Sequence, residues 1–344
     1  MSNPNAEFWN LAATYKRYLN LRLCLAEEPS QPCTSRIIEA HTIPRSQLKL
    51  ISQDGHVYSF DFSFSRLSQS NGLAGVKRYG IGNFSTLNCF CATHDNQLFV
   101  DIEDQPLEFR PRQLALLHYR AVASELYKKI RSVAFNHGHF ADFIRRTKSK
   151  SSIAIGEAFS EGEELAIRDA RLDLEAISKI LSEKSYDQLS GLVVRFRRPP
   201  SVMSVGGFYP EFDYDGRFVQ RLDDKDVNYQ PVSFNILMSN GGAAVILVWR
   251  ASHALCSKFA ASYAMQPTSL LSSLAIQTCF EHLENTCFAP VWWETLKSGV
   301  RDSLVRRFQA SGDLFTKRNA RCLEYTGVTY GDWGFQSVEW INCV

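Results

Sequence analysis

The sequence lacks any apolar run long enough to cross a membrane as a helix. Its strongest run, Ala243–Trp249, is much shorter than the ~20 residues that a membrane-spanning helix needs. The first ten residues contain neither the basic segment nor the apolar segment of a secretory signal. We therefore expect a soluble protein of the cytoplasm that has no membrane partner.

An excess of charge of one sign is also missing, because the formal net charge is only +2. Attraction to nucleic acid would have to come from local patches. With 45% hydrophobic and 22% charged residues, the chain differs from disordered proteins and should be folded. No Walker loop, Rossmann fingerprint or serine-hydrolase motif is present. These enzyme classes are therefore not indicated.

The chain has 344 residues, more than one hydrophobic core usually supports, so we expect two domains. The segment 143–159 begins with a basic, serine-containing stretch that is typical of an exposed connection. We therefore predict domains at 1–142 and 160–344, joined by a linker at 143–159. A helix that begins near Pro111 should close the first domain.

The periodicity of the sequence predicts an α+β fold. In the first domain, Tyr58, Phe60, Phe62 and Phe64 alternate with polar residues, which predicts a strand with one buried aromatic face rather than a base-stacking surface. In the second domain, helical spacing predicts a helix at 160–183, and Ser160 and Glu163 fit a capping box at its start.

Further strands are predicted in the second domain at Leu192–Phe196, Val202–Tyr209 and Val232–Trp249. The last of these contains Asn240-Gly241-Gly242 between two strand-like runs, which predicts an antiparallel hairpin. Helices are expected at Ser269–Leu283 and Pro290–Phe308. The second domain should therefore be a mixed α+β domain.

The nine cysteines point to metal ligands or reduced thiols rather than to disulfides, because no export signal is visible. Cys91 and His94 have the close spacing of a zinc-ligand pair, and Cys24 and Cys33 can supply the second pair. The separation of that second pair is unusually wide. Cys89 is the reserve candidate, and ordinary buried thiols are the alternative.

Two segments resemble a known family. Ile37–Arg45 reads IIEAHTIPR, and Asn88–Asp95 reads NCFCATHD, with cysteines upstream of the first. Together they resemble a divergent HNH nuclease domain of the His-Me finger group, over about residues 20–105. The resemblance implies a zinc-containing strand–strand–helix module.

The resemblance also implies residue roles. His41 would be the general base that activates water against a phosphodiester, because a neutral imidazole titrates near working pH. Asn83 or Asn88 would orient the loop, and the sequence does not choose between them. Asp95 would bind the catalytic Mg²⁺ or Mn²⁺ that holds the scissile phosphate, or it would act as a helix cap. The substrate would be nucleic acid, either DNA or RNA.

Ala40 departs from the family pattern, in which an acid or histidine precedes the general base. It favours an alternative function, a non-catalytic zinc-stabilised protein that binds another protein or nucleic acid. His41 would then be a zinc ligand or a hydrogen-bonded core histidine. Stand-alone bacterial proteins that combine such a domain with an unrelated one often resemble anti-phage defence components, so the resemblance implies a defence role by analogy.

Two arginine clusters could contact phosphates or bases: Arg195, Arg197 and Arg198 around Phe196, and Arg306 and Arg307 beside Phe308. A solvated strand edge and a solvated helix face are the favoured interpretation of these clusters.

Overall fold

The computed structural model describes residues 4–26, 33, 35–61, 63–70, 73–146, 150–222, 224, 226–311 and 318–342. Helices and antiparallel sheets both occur, so the predicted α+β class is confirmed. Phe62 of the predicted aromatic strand, and residues 147–149 of the predicted linker, lie outside the described residues.

Helices and strands alternate irregularly along the chain. The helices are α1 (Pro4–Leu19), α2 (Arg45–Ile51), α3 (Phe64–Gln69), α4 (Ala92–Glu103), α5 (Pro111–Phe135), α6 (Ala141–Arg146), α7 (Lys150–Glu183), α8 (Ala254–Ala264), α9 (Leu271–His282), α10 (Pro290–Thr295) and α11 (Ser298–Ser311). The strands are β1 (Ile37–His41), β2 (His56–Asp61), β3 (Gly75–Gly80), β4 (Thr86–Cys91), β5 (Leu189–Phe196), β6 (Val202–Phe208), β7 (Val232–Ser239), β8 (Gly242–Arg250), β9 (Thr286–Phe288) and β10 (Phe335–Ile341). Among the described residues, no helix has the length and apolar character needed to span a bilayer.

The chain forms two compact units, and each is assembled from separate segments. The first unit contains Met1–Ala40, Leu87–Gln97 and Val122–Ala176, and the second contains His41–Thr86, Leu98–Ala121 and Ile177–Val344. These ranges differ from the predicted domains at 1–142 and 160–344. The predicted linker 143–159 is helical where it is described, because α6 and α7 occupy it.

Helical packing organises the first unit. Tyr15 of α1 contacts Phe135 at the end of α5 edge to face, with ring centroids 5.0 Å apart. The carboxylate of Glu163 accepts hydrogen bonds from Ser132 Oγ and Asn136 Nδ2, both at 2.6 Å. Glu163 therefore ties α7 to the end of α5. The expected capping box is not formed, because α7 already begins at Lys150 and Ser160 lies inside it.

An eight-stranded antiparallel sheet organises the second unit, in the order β10-β5-β8-β7-β6-β9-β2-β3. The predicted hairpin at Asn240-Gly241-Gly242 joins β7 and β8, which pair from Ser233 with Val248 to Ser239 with Gly242. Asn240 and Gly241 have φ of 51° and 81°, as a tight two-residue hairpin turn requires.

One face of this sheet carries the main core. Alternate residues of β7, including Phe234, pack with side chains of α8, α9 and α11, such as Phe259, Ile276 and Leu304. Helix α9 is buried from Leu271 to Glu281, which explains why its sequence is apolar over most of its circumference. The second unit is therefore built around helices packed on an antiparallel sheet.

The aromatic strand β2 belongs to this core. Tyr58 pairs with Phe288 of β9, and the Phe60 ring stacks on Phe308 of α11 with centroids 3.7 Å apart. Phe60 also contacts Phe280 of α9 edge to face at 5.3 Å. The predicted structural role of the aromatic face is confirmed for Phe60, but its partners come from the C-terminal half of the chain. The strand ends at Asp61, before the predicted limit, because α3 begins at Phe64.

We predict that Phe60→Ala destabilises the second unit by about 3–5 kcal/mol, because it leaves a cavity among buried aromatic rings. The free energy of unfolding can be measured in urea by tryptophan fluorescence. Phe218→Ala is the matched control, because Phe218 is 59% exposed. Equal losses in the two variants would show that β2 does not contribute to this core.

Candidate metal centre

Backbone hydrogen bonds place Cys24 beside the end of β4. The Leu23 amide donates to the Asn88 carbonyl at 3.2 Å, and the Leu25 amide donates to the Cys89 carbonyl at 2.9 Å. The two residues that flank Cys24 are thus hydrogen-bonded to consecutive residues of β4. This pairing brings the Cys24 side chain to Cys91, whose amide donates to Cys24 Sγ at 3.4 Å.

Cys91 and His94 are brought together by the start of α4. Cys91 is the last residue of β4 and directly precedes the helix, so it occupies the N-cap position. Its sulfur accepts a hydrogen bond from the His94 amide at 3.4 Å, as an N-cap side chain does with the third helical residue. The spacing of two intervening residues therefore turns both side chains toward one point.

Cys33 completes the group from the loop before β1. Its thiol lies 3.9 Å from the Ser35 carbonyl oxygen, and Ser35 Oγ is 2.7 Å from Thr93 Oγ1 in the first turn of α4. The ligand atoms of Cys24, Cys33, Cys91 and His94 all lie within 4.8 Å of one another. All four belong to the first unit.

The geometry fits a tetrahedral ion. His94 Nδ1 lies 3.2 Å from Cys24 Sγ and 3.4 Å from Cys91 Sγ. Typical zinc–sulfur and zinc–nitrogen bonds at tetrahedral angles separate such atoms by about 3.5 Å. The four residues predicted from the sequence are thus gathered in an arrangement compatible with a structural metal. Within the described residues, the reserve candidate Cys89 is not part of the group.

The three thiols differ in the direction in which their surroundings shift the pKa. Burial acts to raise the pKa of Cys91, but hydrogen bonds from the His94 amide and from the Cys33 and Cys24 thiols hold it below its ordinary value. Burial raises the pKa of Cys24 to about 12, and the hydrogen bond with Cys91 raises the pKa of Cys33. Three thiolates are therefore costly here without a cation, and a bound metal would compensate their charge.

His41 is the last residue of β1 and is half-buried. It belongs to the second unit, where its Nε2 lies 3.0 Å from the Ile81 carbonyl oxygen. A carbonyl only accepts hydrogen bonds, so Nε2 carries the proton and Nδ1 is the accepting nitrogen. His41 is not a member of the four-residue group formed by the described ligand side chains.

The other predicted catalytic residues lie in different surroundings. Asn83 is exposed in the turn that follows β3, whereas Asn88 is buried within β4 and 7% exposed. Asp95 is also buried, in the first turn of α4, where the helix dipole stabilises a carboxylate. It is not the helix cap, because Cys91 occupies that position.

A buried histidine–serine pair lies in the second unit, and no motif in the sequence marks it. His118 Nδ1 lies 3.0 Å from Ser233 Oγ, and Ser233 Oγ donates to the Val248 carbonyl at 3.1 Å. Because the only hydroxyl proton is directed at a carbonyl, His118 donates to the serine and does not activate it. The pair is a structural contact between α5 and the sheet.

The arginine clusters support the structural interpretation. Phe196 and Phe308 are 2% and 1% exposed, so neither ring is available for stacking on a base. Arg198 lies 2.6 Å from Asp332 and Arg307 lies 3.4 Å from Glu281. These contacts are ion pairs within the second unit.

Comparison with known proteins gave no match: no family model, no curated protein and no solved structure is similar to this chain.

We predict that the purified protein carries about one metal ion per chain, and that Cys91→Ala and His94→Ala abolish binding and lower the melting temperature, because a closed site needs all four ligands. The metal content is measured by elemental analysis of folded protein that was purified without a chelator. Cys256→Ala, which removes a buried thiol of the second unit, should retain the ion. Wild-type protein without metal would contradict the assignment.

We also predict that stability falls on acidification between about pH 6.5 and pH 4. Burial lowers the pKa of His118 to about 3 and that of His253 to about 4. Both residues are neutral in the folded state, whereas the unfolded chain binds protons below about pH 6.5. Each contributes a slope of up to about 1.4 kcal/mol per pH unit in that window.

The test is the pH dependence of the free energy of unfolding. His118→Gln should flatten the slope, because one buried neutral imidazole is removed. His56→Gln, at a partly exposed histidine at the start of β2, should leave the slope unchanged. Identical slopes for the wild type and His118→Gln would contradict the prediction.

Proposed function

We propose that the chain is an HNH-like, metal-dependent nuclease whose first unit is stabilised by zinc. The observation that carries the proposal is the order of elements around the metal centre. Strand β1 ends at His41 and pairs with β4, and β4 leads directly into α4. This is the strand–strand–helix order of the HNH domain that the sequence resembles, with the candidate base at the end of the first strand.

Zinc is the ion we assign to the four-residue group. Three sulfurs and one imidazole nitrogen are a soft donor set that suits zinc, whereas Mg²⁺ and Ca²⁺ prefer oxygen ligands. A closed set of four protein ligands leaves no position for water or substrate, which is typical of structural zinc. The ion would fix Cys24 and the loop at Cys33 to the start of α4.

His41 is the general base in this proposal. Its Nε2–H donates to the Ile81 carbonyl, so the lone pair of Nδ1 is left to accept a proton from water. The tautomer required of a base is thus set before substrate binds.

The proposed reaction also needs a catalytic cation and side chains that bind it. Within the described part of the chain, no second group of three or more acidic, histidine or cysteine side chains is gathered to hold an ion. Mg²⁺ or Mn²⁺ is commonly held by one or two carboxylates together with substrate phosphates. Asp95, the carboxylate that the resemblance implies for this role, belongs to the first unit, whereas His41 belongs to the second. When bound, such an ion would neutralise charge on the scissile phosphate.

A second candidate function is a non-catalytic zinc module that binds nucleic acid or a protein partner. Ala40 favours it, because the residue directly before His41 offers no ligand and is only 4% exposed. In that case His41 is a structural residue that fastens the end of β1 to Ile81. The two candidates share the zinc centre and differ in the role of His41.

We predict that His41→Ala lowers Mg²⁺- or Mn²⁺-dependent cleavage of DNA or RNA by about 10²–10⁴-fold, because a general base is lost. Zinc content should stay at the wild-type level, since His41 is not a zinc ligand in this proposal. Asp95→Ala should behave in the same way if its carboxylate holds the catalytic ion. Gel assays of cleavage and elemental analysis of each variant measure the two effects.

His56→Ala is the control, because this partly exposed histidine lies away from β1 in the sequence and its ring contacts only the Asp54 carbonyl oxygen in the described hydrogen bonds. It should cleave as the wild type does. If the wild type cleaves neither DNA nor RNA with any divalent cation, even with its cellular partners, the nuclease proposal fails and the zinc module is favoured.

A further inference from the structure

The two residues that follow His41 are both held by Ser85. The Thr42 amide donates to the Ser85 carbonyl at 2.7 Å, and the Ile43 amide donates to Ser85 Oγ at 2.9 Å. Thr42 and Ile43 are 4% and 0% exposed, so water does not compete for these amides. The direction in which the chain leaves β1 is therefore fixed by one residue that directly precedes β4.

Ser85 has an unusual backbone conformation. Its φ is +60°, in the left-handed region that residues with a side chain seldom occupy. A residue stays there only when its surroundings determine it. In this conformation the carbonyl and the hydroxyl both face Thr42 and Ile43, so the strain coincides with the two hydrogen bonds.

The loop that contains Ser85 also holds the imidazole of His41. The ring donates to the Ile81 carbonyl at 3.0 Å, and the Ile81 amide donates to the Gly55 carbonyl at 3.0 Å. The Gly80 carbonyl closes the turn by accepting the Asn83 amide at 3.0 Å. One loop, residues 80–85, therefore makes both sets of contacts. Near its start, Ile81 binds the ring of His41, and at its end, Ser85 binds the backbone that follows His41.

We propose that Ser85 is the positioning residue of His41. Its two hydrogen bonds fix the backbone that carries the imidazole, so Nε2–H stays directed at Ile81 and Nδ1 stays the accepting nitrogen. This inference rests on the proposed function, because positioning affects a reaction only if His41 is its general base. Ser85 acts through His41 and touches no reacting group itself.

Three variants separate the hydroxyl from the backbone strain. Ser85→Gly removes the hydroxyl and adopts a positive φ freely. Ser85→Asn keeps a side-chain oxygen acceptor on a residue that tolerates this conformation. Lys184→Gly is the matched control, because Lys184 has φ of +56° elsewhere in the second unit and its replacement relieves the same kind of strain.

The first readout does not depend on activity. In the full chain with ¹⁵N-labelled histidine, nuclear magnetic resonance reports which ring nitrogen of His41 carries the proton, with His41→Gln to assign the signal. The wild type, Ser85→Asn and Lys184→Gly should show the Nε2–H form. Ser85→Gly should show a mixture of both forms, and the Ile43 amide should exchange about tenfold faster.

The second readout is kinetic. We expect kcat for nucleic-acid cleavage to fall about 10–100-fold in Ser85→Gly with KM unchanged, because a misplaced base slows the chemical step and not binding. Ser85→Asn should recover most of kcat, and Lys184→Gly should match the wild type.

The outcomes distinguish the two proposals. An unchanged tautomer and unchanged exchange in Ser85→Gly would overturn the positioning role, as would an unchanged kcat in an active enzyme. If the wild type is inactive, the nuclease function fails and Ser85 loses its catalytic role with it, even where the nuclear magnetic resonance results show that it orients His41.

Discussion

The burial of β2 in the aromatic core of the second unit constrains the rest of the structure. Phe60 stacks on Phe308 of the C-terminal half, and β2 pairs with β9 through Tyr58 and Phe288. The chain must therefore leave the strand–strand–helix module after His41 and return to it at β4. Both His41 and the loop that holds its ring belong to the second unit as a result.

Local patterns predicted much of the fold. The hairpin at Asn240-Gly241 follows from residues that accept positive φ, and the helix after Pro111 follows from its apolar spacing. The division into units could not be predicted in this way. An alternating strand such as β2 shows that one face is buried, but the same pattern fits any apolar partner, whether near in sequence or in the C-terminal half. Periodicity and composition therefore favour contiguous domains, whereas the two compact units are each assembled from separate segments.

The metal-ligand group was more predictable than the surroundings of the candidate base. The relative positions of Cys91 and His94 are determined by the N-terminus of a helix, which is a local feature with a fixed residue spacing. The position of Cys24 could not be predicted in this way, because it depends on the hydrogen bonds of Leu23 and Leu25 to β4. The sequence did not indicate the role of Ser85. Its positive φ and the hydrogen bonds that it accepts from the Thr42 and Ile43 amides depend on contacts between segments that are distant in the sequence.

The pairing of β2 with β9 also has a consequence for synthesis on the ribosome. The partner strand is made about 230 residues after Tyr58. At typical elongation rates of about 5–20 residues per second, β2 waits about ten to fifty seconds for it. During that interval the aromatic face of Phe60 has no native strand or helix from the C-terminal half to cover it. The nascent chain can pair β2 with β3 early, but it leaves the aromatic face and the β9 edge of β2 exposed, the kind of surface that chaperones bind, for longer than a protein with contiguous domains of this size.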